Sequence, residues 1–211
     1  MHTYLEGLLE IAGPPLGYPT AHIPSILTNR TGPRLTELAQ LLSTCNGFLA
    51  FDGALHVLPI GHIDQGYDLT RWNSHTLWRN TYENVQGCLF FAEDIFGEQF
   101  CIVDDHICRF DPETGEYDLM AESLEEWAYY MLDDFITETG YPIVQAWQAN
   151  HGTLPPGQRL VPVIPFILGG RFSLENLRPI DAAEGMRQRA TVAQQVRNLP
   201  DGTDVRVIIA P

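Results

Sequence analysis

The chain has 211 residues, of which 45% are hydrophobic and 18% are charged, which suits one large globular domain and argues against disorder along its whole length. All 12 basic residues are arginine, 27 residues are acidic, and the formal net charge of -15 argues against a nucleic-acid-binding surface and favours a basic partner. No apolar run is long enough to cross a membrane.

The N-terminal sequence MHTYLEGLLEIAGPP does not have the features of a secretory signal, because it lacks a basic segment and places Glu6 and Glu10 inside its apolar pattern. The four cysteines form no C-x-x-C pair, and several lie in apolar runs where a reduced cysteine acts as a small hydrophobic residue. Thiols of this kind indicate a reducing compartment. We therefore expect a cytoplasmic protein.

The first predicted elements are a helix and a hairpin. In PRLTELAQLLSTCNG the apolar residues recur at helical spacing, and Asn46-Gly47 supplies a left-handed end. FLAF and ALHVLP then predict a β-hairpin around Asp52-Gly53. The stretch DLTRWNSHTLWRNTYENV predicts short helices with three aromatic anchors, Trp72, Trp78 and Tyr82.

The next stretch predicts an antiparallel meander and a helix. EQFCIV, HICRF and EYDLM are short segments rich in β-branched and aromatic residues, separated by Asp104-Asp105 and by the turn sequence DPETG. Ser123 then begins a helix, with Glu126 at the capping-box spacing. One helix face is apolar, with Leu124, Trp127, Ala128, Met131, Leu132 and Phe135. The opposite face carries Glu125, Glu126, Tyr129, Tyr130, Asp133 and Asp134.

The C-terminal part contains fewer regular signals. The prolines of GYPIVQAWQANHGTLPPGQRLVPVIPF predict an extended connection that wraps a surface, and Ser173 in GGRFSLENL predicts a helix start. DAAEGMRQRATVAQQVRNLPDG predicts a helix stopped by Pro200, and DVRVIIA a closing strand. The apolar residues of this predicted helix are Met186, Ala190, Ala193 and Val196. Together the elements predict an α+β fold, a single domain with a mainly antiparallel β-sheet flanked by α-helices.

Catalytic and metal-binding motifs are weak. The sequence has no G-x-S-x-G elbow, no H-E-x-x-H pair and no glycine-rich phosphate loop. Cys101, His106 and Cys108 are the best metal candidates, but structural zinc sites usually have four ligands in closer pairs. Two buried thiols and a histidine next to a turn are the favoured interpretation. We expect no metal and no cofactor.

Adjacent carboxylates offer a second catalytic possibility. The pairs Glu93/Asp94, Asp104/Asp105 and Glu125/Glu126 contain groups suited to acid and base roles in hydrolysis. Adjacent acids are also common on solvated surfaces. We therefore expect a protein that is not an enzyme.

The acidic charge is regional. The segment from Glu93 to Glu138 holds 15 acids and a single basic residue, Arg109. Tyrosines stand among the acids of the predicted helix, and tyrosine is enriched where proteins bind partners. The predicted partner-binding residues are Glu113, Glu116, Asp118, Glu125, Glu126, Tyr129, Tyr130, Asp133 and Asp134. An acidic face that serves only solubility, with its tyrosines against the core, is the alternative.

Several strings resemble the SUKH superfamily, which includes a fungal regulator of cell-wall assembly and many bacterial immunity proteins. The similarity extends from about Leu35 to the C-terminus, and its most specific part is F-x-x-D-x-F-G-x-x-F from Phe91 to Phe100. The other strings are CNGFLAFDGALHVLP, LWRNTYENV, RFDPETGEYDLMAESLEEWA, PFILGGRFSLENL and LPDGT.

This resemblance implies an α+β domain around an antiparallel sheet, without a known catalytic site. It divides the single domain, 1–211, into an N-terminal extension at 1–33, a core at 34–150 and a C-terminal wrap and helix at 151–211. Bacterial members bind and neutralise a cognate toxin, often a nuclease, so the implied partner is a protein toxin with a basic surface. A regulatory or scaffold protein of the same fold is the alternative.

Overall fold

A six-stranded antiparallel sheet forms the centre of the fold in the computed structural model, which describes residues 3–18, 24, 32–197, 199 and 203. Each strand is hydrogen-bonded to the next strand in the chain, in the order β1 to β6. The strands are β1 Phe48–Ala50, β2 Leu55–Val57, β3 Leu89–Glu93, β4 Gln99–Val103, β5 His106–Asp111 and β6 Glu116–Ala121. The predicted hairpin and three-strand meander are thus confirmed.

Aspartates make the tightest turns of this sheet. Val103 pairs with His106 across the two-residue turn Asp104-Asp105, whose φ angles are 47° and 65°. A two-residue hairpin turn with positive φ at both positions matches the right-handed twist of the strands, and aspartate tolerates that conformation. Asp52, in the β1–β2 turn, also has a positive φ of 55°.

The two faces of the sheet bury different aromatic clusters, because successive side chains of a strand point to opposite sides. On one face Phe91 lies 5.2 Å from Trp127, measured between ring centroids. On the other face Phe90 lies 4.9 Å from Trp78, and Tyr82 lies 5.1 Å from Phe110. The predicted anchors Trp72, Trp78 and Tyr82 are all buried.

Seven helices surround the sheet in the described residues. Three of them, α1, α2 and α4, contribute leucines and Trp127 to the core, and α7 contributes Met186 and four alanines. None of these helices has both the length and the apolar character needed to cross a bilayer. Their bounds are α1 Tyr4–Glu10, α2 Pro33–Thr44, α3 Leu69–Trp72, α4 Leu124–Asp133, α5 Phe135–Thr139, α6 Tyr141–His151 and α7 Ala182–Val196.

The predicted capping box of α4 is half formed. The Ser123 hydroxyl accepts the N–H of Glu126 at 3.0 Å, as expected. The Glu126 carboxylate accepts the N–H of Glu122 at 2.7 Å, one residue before the predicted donor. The apolar face also stops earlier than predicted, because the helix ends at Asp133 and Phe135 begins α5.

The extended connection predicted at residues 140–166 is wrong over its first part. Residues Tyr141–His151 form α6, which starts after Gly140 at a φ of 71°, carries Pro142 in its first turn and ends at Gly152. Proline near a helix start and glycine at its end are ordinary helix signals. Strand β7, Gln158–Pro162, then pairs antiparallel with β8, Leu177–Asp181.

Three other expectations near the C-terminus have different outcomes. Ser173 begins only one 3-10 turn, Leu174–Asn176, before β8 follows. The predicted helix after it is confirmed as α7. Pro200 and the predicted closing strand DVRVIIA lie outside the described residues. The small β7–β8 sheet and α6 share a second apolar cluster with Ile95 and Phe96.

Candidate functional site

Many acids of the segment 93–138 have partners inside the protein. Arg109, its single basic residue, pairs through Nε with Glu98 at 2.6 Å and donates through Nη1 to Glu138 at 2.8 Å. Asp94 is buried and accepts the N–H groups of Phe96 and Glu98 in the β3–β4 turn. These acids therefore hold turns and helices of the fold in place.

Other carboxylates accept hydrogen bonds at helix starts, where backbone N–H groups lack partners within the helix. Glu125 accepts the N–H of Tyr4 at 2.5 Å and that of Leu5 at 3.2 Å, at the first turn of α1. Asp105 accepts the N–H of Arg34 at the start of α2. Glu125 thus joins α1 to α4. In each of the adjacent pairs Asp104/Asp105 and Glu125/Glu126, at least one carboxylate accepts a hydrogen bond that supports the fold.

The nine predicted partner-binding residues are divided between strand β6, helix α4 with its C-terminal cap, and the turn before β6. Glu116 and Asp118 are exposed on β6, which is an edge strand of the main sheet. Six residues lie on α4 and its C-terminal cap: Glu125, Glu126, Tyr129, Tyr130, Asp133 and Asp134. The ninth residue, Glu113, is only 3% exposed. It does not belong to a solvent-facing surface, contrary to the prediction.

Glu113 is an internal contact of the C-terminal part. One carboxylate oxygen accepts the N–H of Ile167 at 2.9 Å, and the other oxygen is buried without a partner among the described residues. Burial raises the pKa of Glu113 from 4.5 to about 7. The contact fixes the segment 163–172, which exposes Val163, Ile164, Ile167 and Phe172.

The variant Glu113→Gln should reveal this burial through the pH dependence of stability. The folded state binds the proton of Glu113 more tightly than the unfolded state, so the wild type loses stability as the pH rises from 4.5 through about 7. Glutamine stays uncharged and keeps an acceptor for Ile167. The variant should be more stable than the wild type at pH 8, by up to about 3 kcal/mol, and the difference should vanish near pH 4.5.

Urea unfolding at both pH values measures this difference, with Glu116→Gln on the exposed edge strand as the matched control. The control should show little change at either pH. A stability difference for Glu113→Gln that is the same at pH 8 and pH 4.5 would contradict the assignment.

Three tyrosines of α1 and α4 are in mutual contact, and Tyr130 among them also packs against the core. The ring of Tyr129 lies 5.0 Å from that of Tyr4 and 5.3 Å from that of Tyr130. The Tyr130 hydroxyl donates to Glu126 at 3.4 Å. Tyr4 is half exposed, and Asp133 is exposed one helical turn beyond Tyr129 and Tyr130. We call Tyr4, Glu126, Tyr129, Tyr130 and Asp133 the tyrosine-acid surface.

Asp133 has an unfavourable position for helix stability. It is the last residue of α4, where the helix dipole presents its negative end and a carboxylate is repelled. Its neighbour Asp134 caps α5 by accepting the N–H of Thr137 at 3.2 Å. The cap on α5 therefore explains why an aspartate occupies position 134. Asp133 makes no such contribution to helix stability.

The metal candidates of the sequence do not converge. Cys101 and Cys108 are buried directly opposite each other on β4 and β5, while His106 at the turn pairs with Glu122 at 3.3 Å. A hydrogen bond with Cys88, together with burial, raises the pKa of Cys101 well above its usual value. Among the described residues, no three potential ligand side chains form a group that suits a metal ion.

Sequence reasoning missed a pocket of about 480 Å³. It lies between β1, α6 and the loops 63–67 and 153–157. Its walls are mostly apolar and include Leu16, Leu49, Ile63, Val144, Leu154 and Pro155. The exposed acids Asp52 and Asp64 also line it.

A buried polar network borders the pocket. His56 and Arg159 line it, and both contact the same carboxylate oxygen of Glu93, from Nδ1 at 3.0 Å and Nη2 at 2.9 Å. The other oxygen of Glu93 accepts from Gln99, which in turn accepts the indole N–H of Trp72. Burial opposes ionisation of Glu93, but Arg159, His56 and Gln99 together lower its pKa to about 2. Glu93 is therefore a carboxylate.

Comparison with known proteins identifies a structural neighbour. No family model matches the chain, and no curated protein matches it. Among solved structures, Atu4351 from Agrobacterium tumefaciens is similar over 88% of this chain and 87% of its own length, with a TM-score of 0.59 and 14% identity. At this level of identity the similarity shows a shared fold alone.

Proposed function

We propose that the chain is a SUKH-like immunity protein, which binds a cognate toxin through the tyrosine-acid surface. One observation carries the proposal: three tyrosines in mutual contact lie among carboxylates on helices α1 and α4, which contain no lysine or arginine. The resemblance of the sequence to the SUKH superfamily supports the choice of partner.

The chemistry of the surface suits a basic protein. Tyrosine supplies rigid contact area with a polar end, at a low cost in conformational entropy. The carboxylates attract a positively charged partner and raise the rate of encounter. Toxins that act on nucleic acids usually present a basic substrate cleft, and covering that cleft with an acidic surface would inhibit them.

Charge reversal on this surface tests the proposal. The binding partner in the experiment is the product of the neighbouring open reading frame, which is the expected toxin. Asp133→Lys should lower the association rate by roughly threefold to tenfold at low salt, because it removes steering at the surface. The rate for the wild-type protein should also fall as salt rises. Stopped-flow mixing measures both rates.

Asp64→Lys is the matched control, because it makes the same charge change on an exposed side chain in the loop 63–67. It should lower the rate much less than Asp133→Lys. Tyr129→Ala should mainly raise the dissociation rate, by roughly thirtyfold if the ring is a central contact. Association that is independent of salt and equal in all variants would reject this surface, and a probe that does not bind would reject the proposed partner.

A further inference from the structure

The pocket between α6 and the loops 63–67 and 153–157 has the size of a small-molecule site. Its volume of about 480 Å³ falls in the range of about 300 to 1,000 Å³ that is typical of small-molecule sites. The two loops meet backbone to backbone, so that a Cβ atom at Gly157 would lie 2.9 Å from the Cα atom of Gly66. Gly157 also has a φ of 76°. A side chain would not fit at position 157, so glycine is required where the two loops meet.

The tautomer of His56 follows from its contacts. The carboxylate of Glu93 can only accept, so Nδ1 of His56 must carry the proton that it donates at 3.0 Å. Burial lowers the pKa of His56, and the charge of Glu93 is already balanced by Arg159. The imidazole is therefore neutral, and its Nε2 atom carries a lone pair.

Within the described residues this lone pair accepts no hydrogen bond, and His56 is 7% exposed. The same histidine lines the pocket. An apolar ligand in the pocket would cover this acceptor and leave it unpaired, at a desolvation cost, whereas a ligand with a donor would satisfy it.

We propose that the pocket binds a small, uncharged and largely apolar molecule whose N–H or O–H group donates a hydrogen bond to Nε2 of His56. The apolar walls contact the body of this molecule. An anion is disfavoured by Asp52 and Asp64 at the pocket and by the net charge of -15. A cation would lie beside the guanidinium of Arg159. An uncharged molecule is repelled neither by the aspartates nor by Arg159.

Two probes of nearly equal shape test the proposal with the full-length chain. Indole carries an N–H donor, whereas benzofuran has an oxygen at that position that can only accept. Isothermal titration should show that indole binds about three- to tenfold more tightly than benzofuran. Equal affinities, or no binding of either probe at millimolar concentration, would overturn the proposal.

Variants identify the side chain that produces the preference for indole over benzofuran. His56→Phe should remove the preference for indole, whereas His75→Phe, which changes an exposed histidine outside the pocket, should retain it. Leu49→Trp should block both probes, because Leu49 is a partly exposed side chain of the pocket wall. Selectivity that persists in His56→Phe would place the contact elsewhere.

The wild-type protein offers a measurement that does not depend on a variant that folds. Nitrogen-15 spectra should show His56 protonated at Nδ1 and unprotonated at Nε2, and indole should shift the Nε2 resonance. A proton on Nε2 in the free protein would overturn the proposal. Displacement of indole by the product of the neighbouring open reading frame would also do so, because the pocket would then belong to the protein interface.

Discussion

Replacing Trp127 with alanine should lower the free energy of unfolding by about 3 to 5 kcal/mol. The indole is fully buried on α4 and contacts Phe91 and Phe100, with ring centroids 5.2 and 5.7 Å away. Its removal would leave a cavity at the centre of one sheet face. For a chain of this length the loss should lower the melting temperature by roughly 10 °C.

Two further variants separate the cavity from other effects of this substitution. The Nε1 atom of Trp127 is buried without a partner among the described residues, so Trp127→Phe loses no hydrogen bond and should cost much less than alanine. Tyr117→Ala, on the exposed edge strand β6, is the surface control and should change stability little. A melting temperature of Trp127→Ala close to that of the wild type would show that α4 does not pack as described.

Local signals predicted the elements that depend on neighbouring residues. The Ser123 cap, the apolar spacing around Trp127 and the Asp104-Asp105 turn are each contained within a few residues, and all three were confirmed. Helix α1 was missed, although Thr3 and Glu6 form a complete capping box before it. That signal was present in the sequence and was too short to stand out without the packing against α4.

Strand β3 was missed for a different reason. All five of its residues are buried, so it lacks the alternation of polar and apolar side chains that marks a half-buried strand. The error in the first part of residues 140–166 arose because prolines were interpreted as a sign of extended chain. Pro142 instead lies in the first turn of α6, where a missing N–H costs nothing.

Composition could not separate acids with internal contacts from acids free to bind a partner. Glu113 and Asp133 look equivalent in the sequence, but one is buried against Ile167 and the other is exposed at the end of α4. The network below the pocket was equally hidden, since it joins three side chains that are far apart in the sequence, His56, Glu93 and Arg159.

Breaking that network should be the most damaging polar change in the described chain. Glu93→Leu leaves the Arg159 guanidinium buried at 5% exposure without its carboxylate, and we expect a loss of about 3 to 5 kcal/mol. The wild type should also show the contribution of Glu93 in acid. Its pKa falls from 4.5 to about 2 on folding, so its stabilising effect is complete above pH 4.5 and is lost as the pH falls through about 2.

The double variant Glu93→Leu with Arg159→Met tests whether the loss comes from an unpaired charge. Since both charges are gone and both replacements are apolar, the double variant should be more stable than Glu93→Leu alone, by at least about 1 kcal/mol. Urea unfolding of the two single variants and the double variant gives this coupling directly. If the double variant is no more stable than the single one, the guanidinium finds other partners when Glu93 is absent. Arg159 would then lie near Glu93 without depending on it.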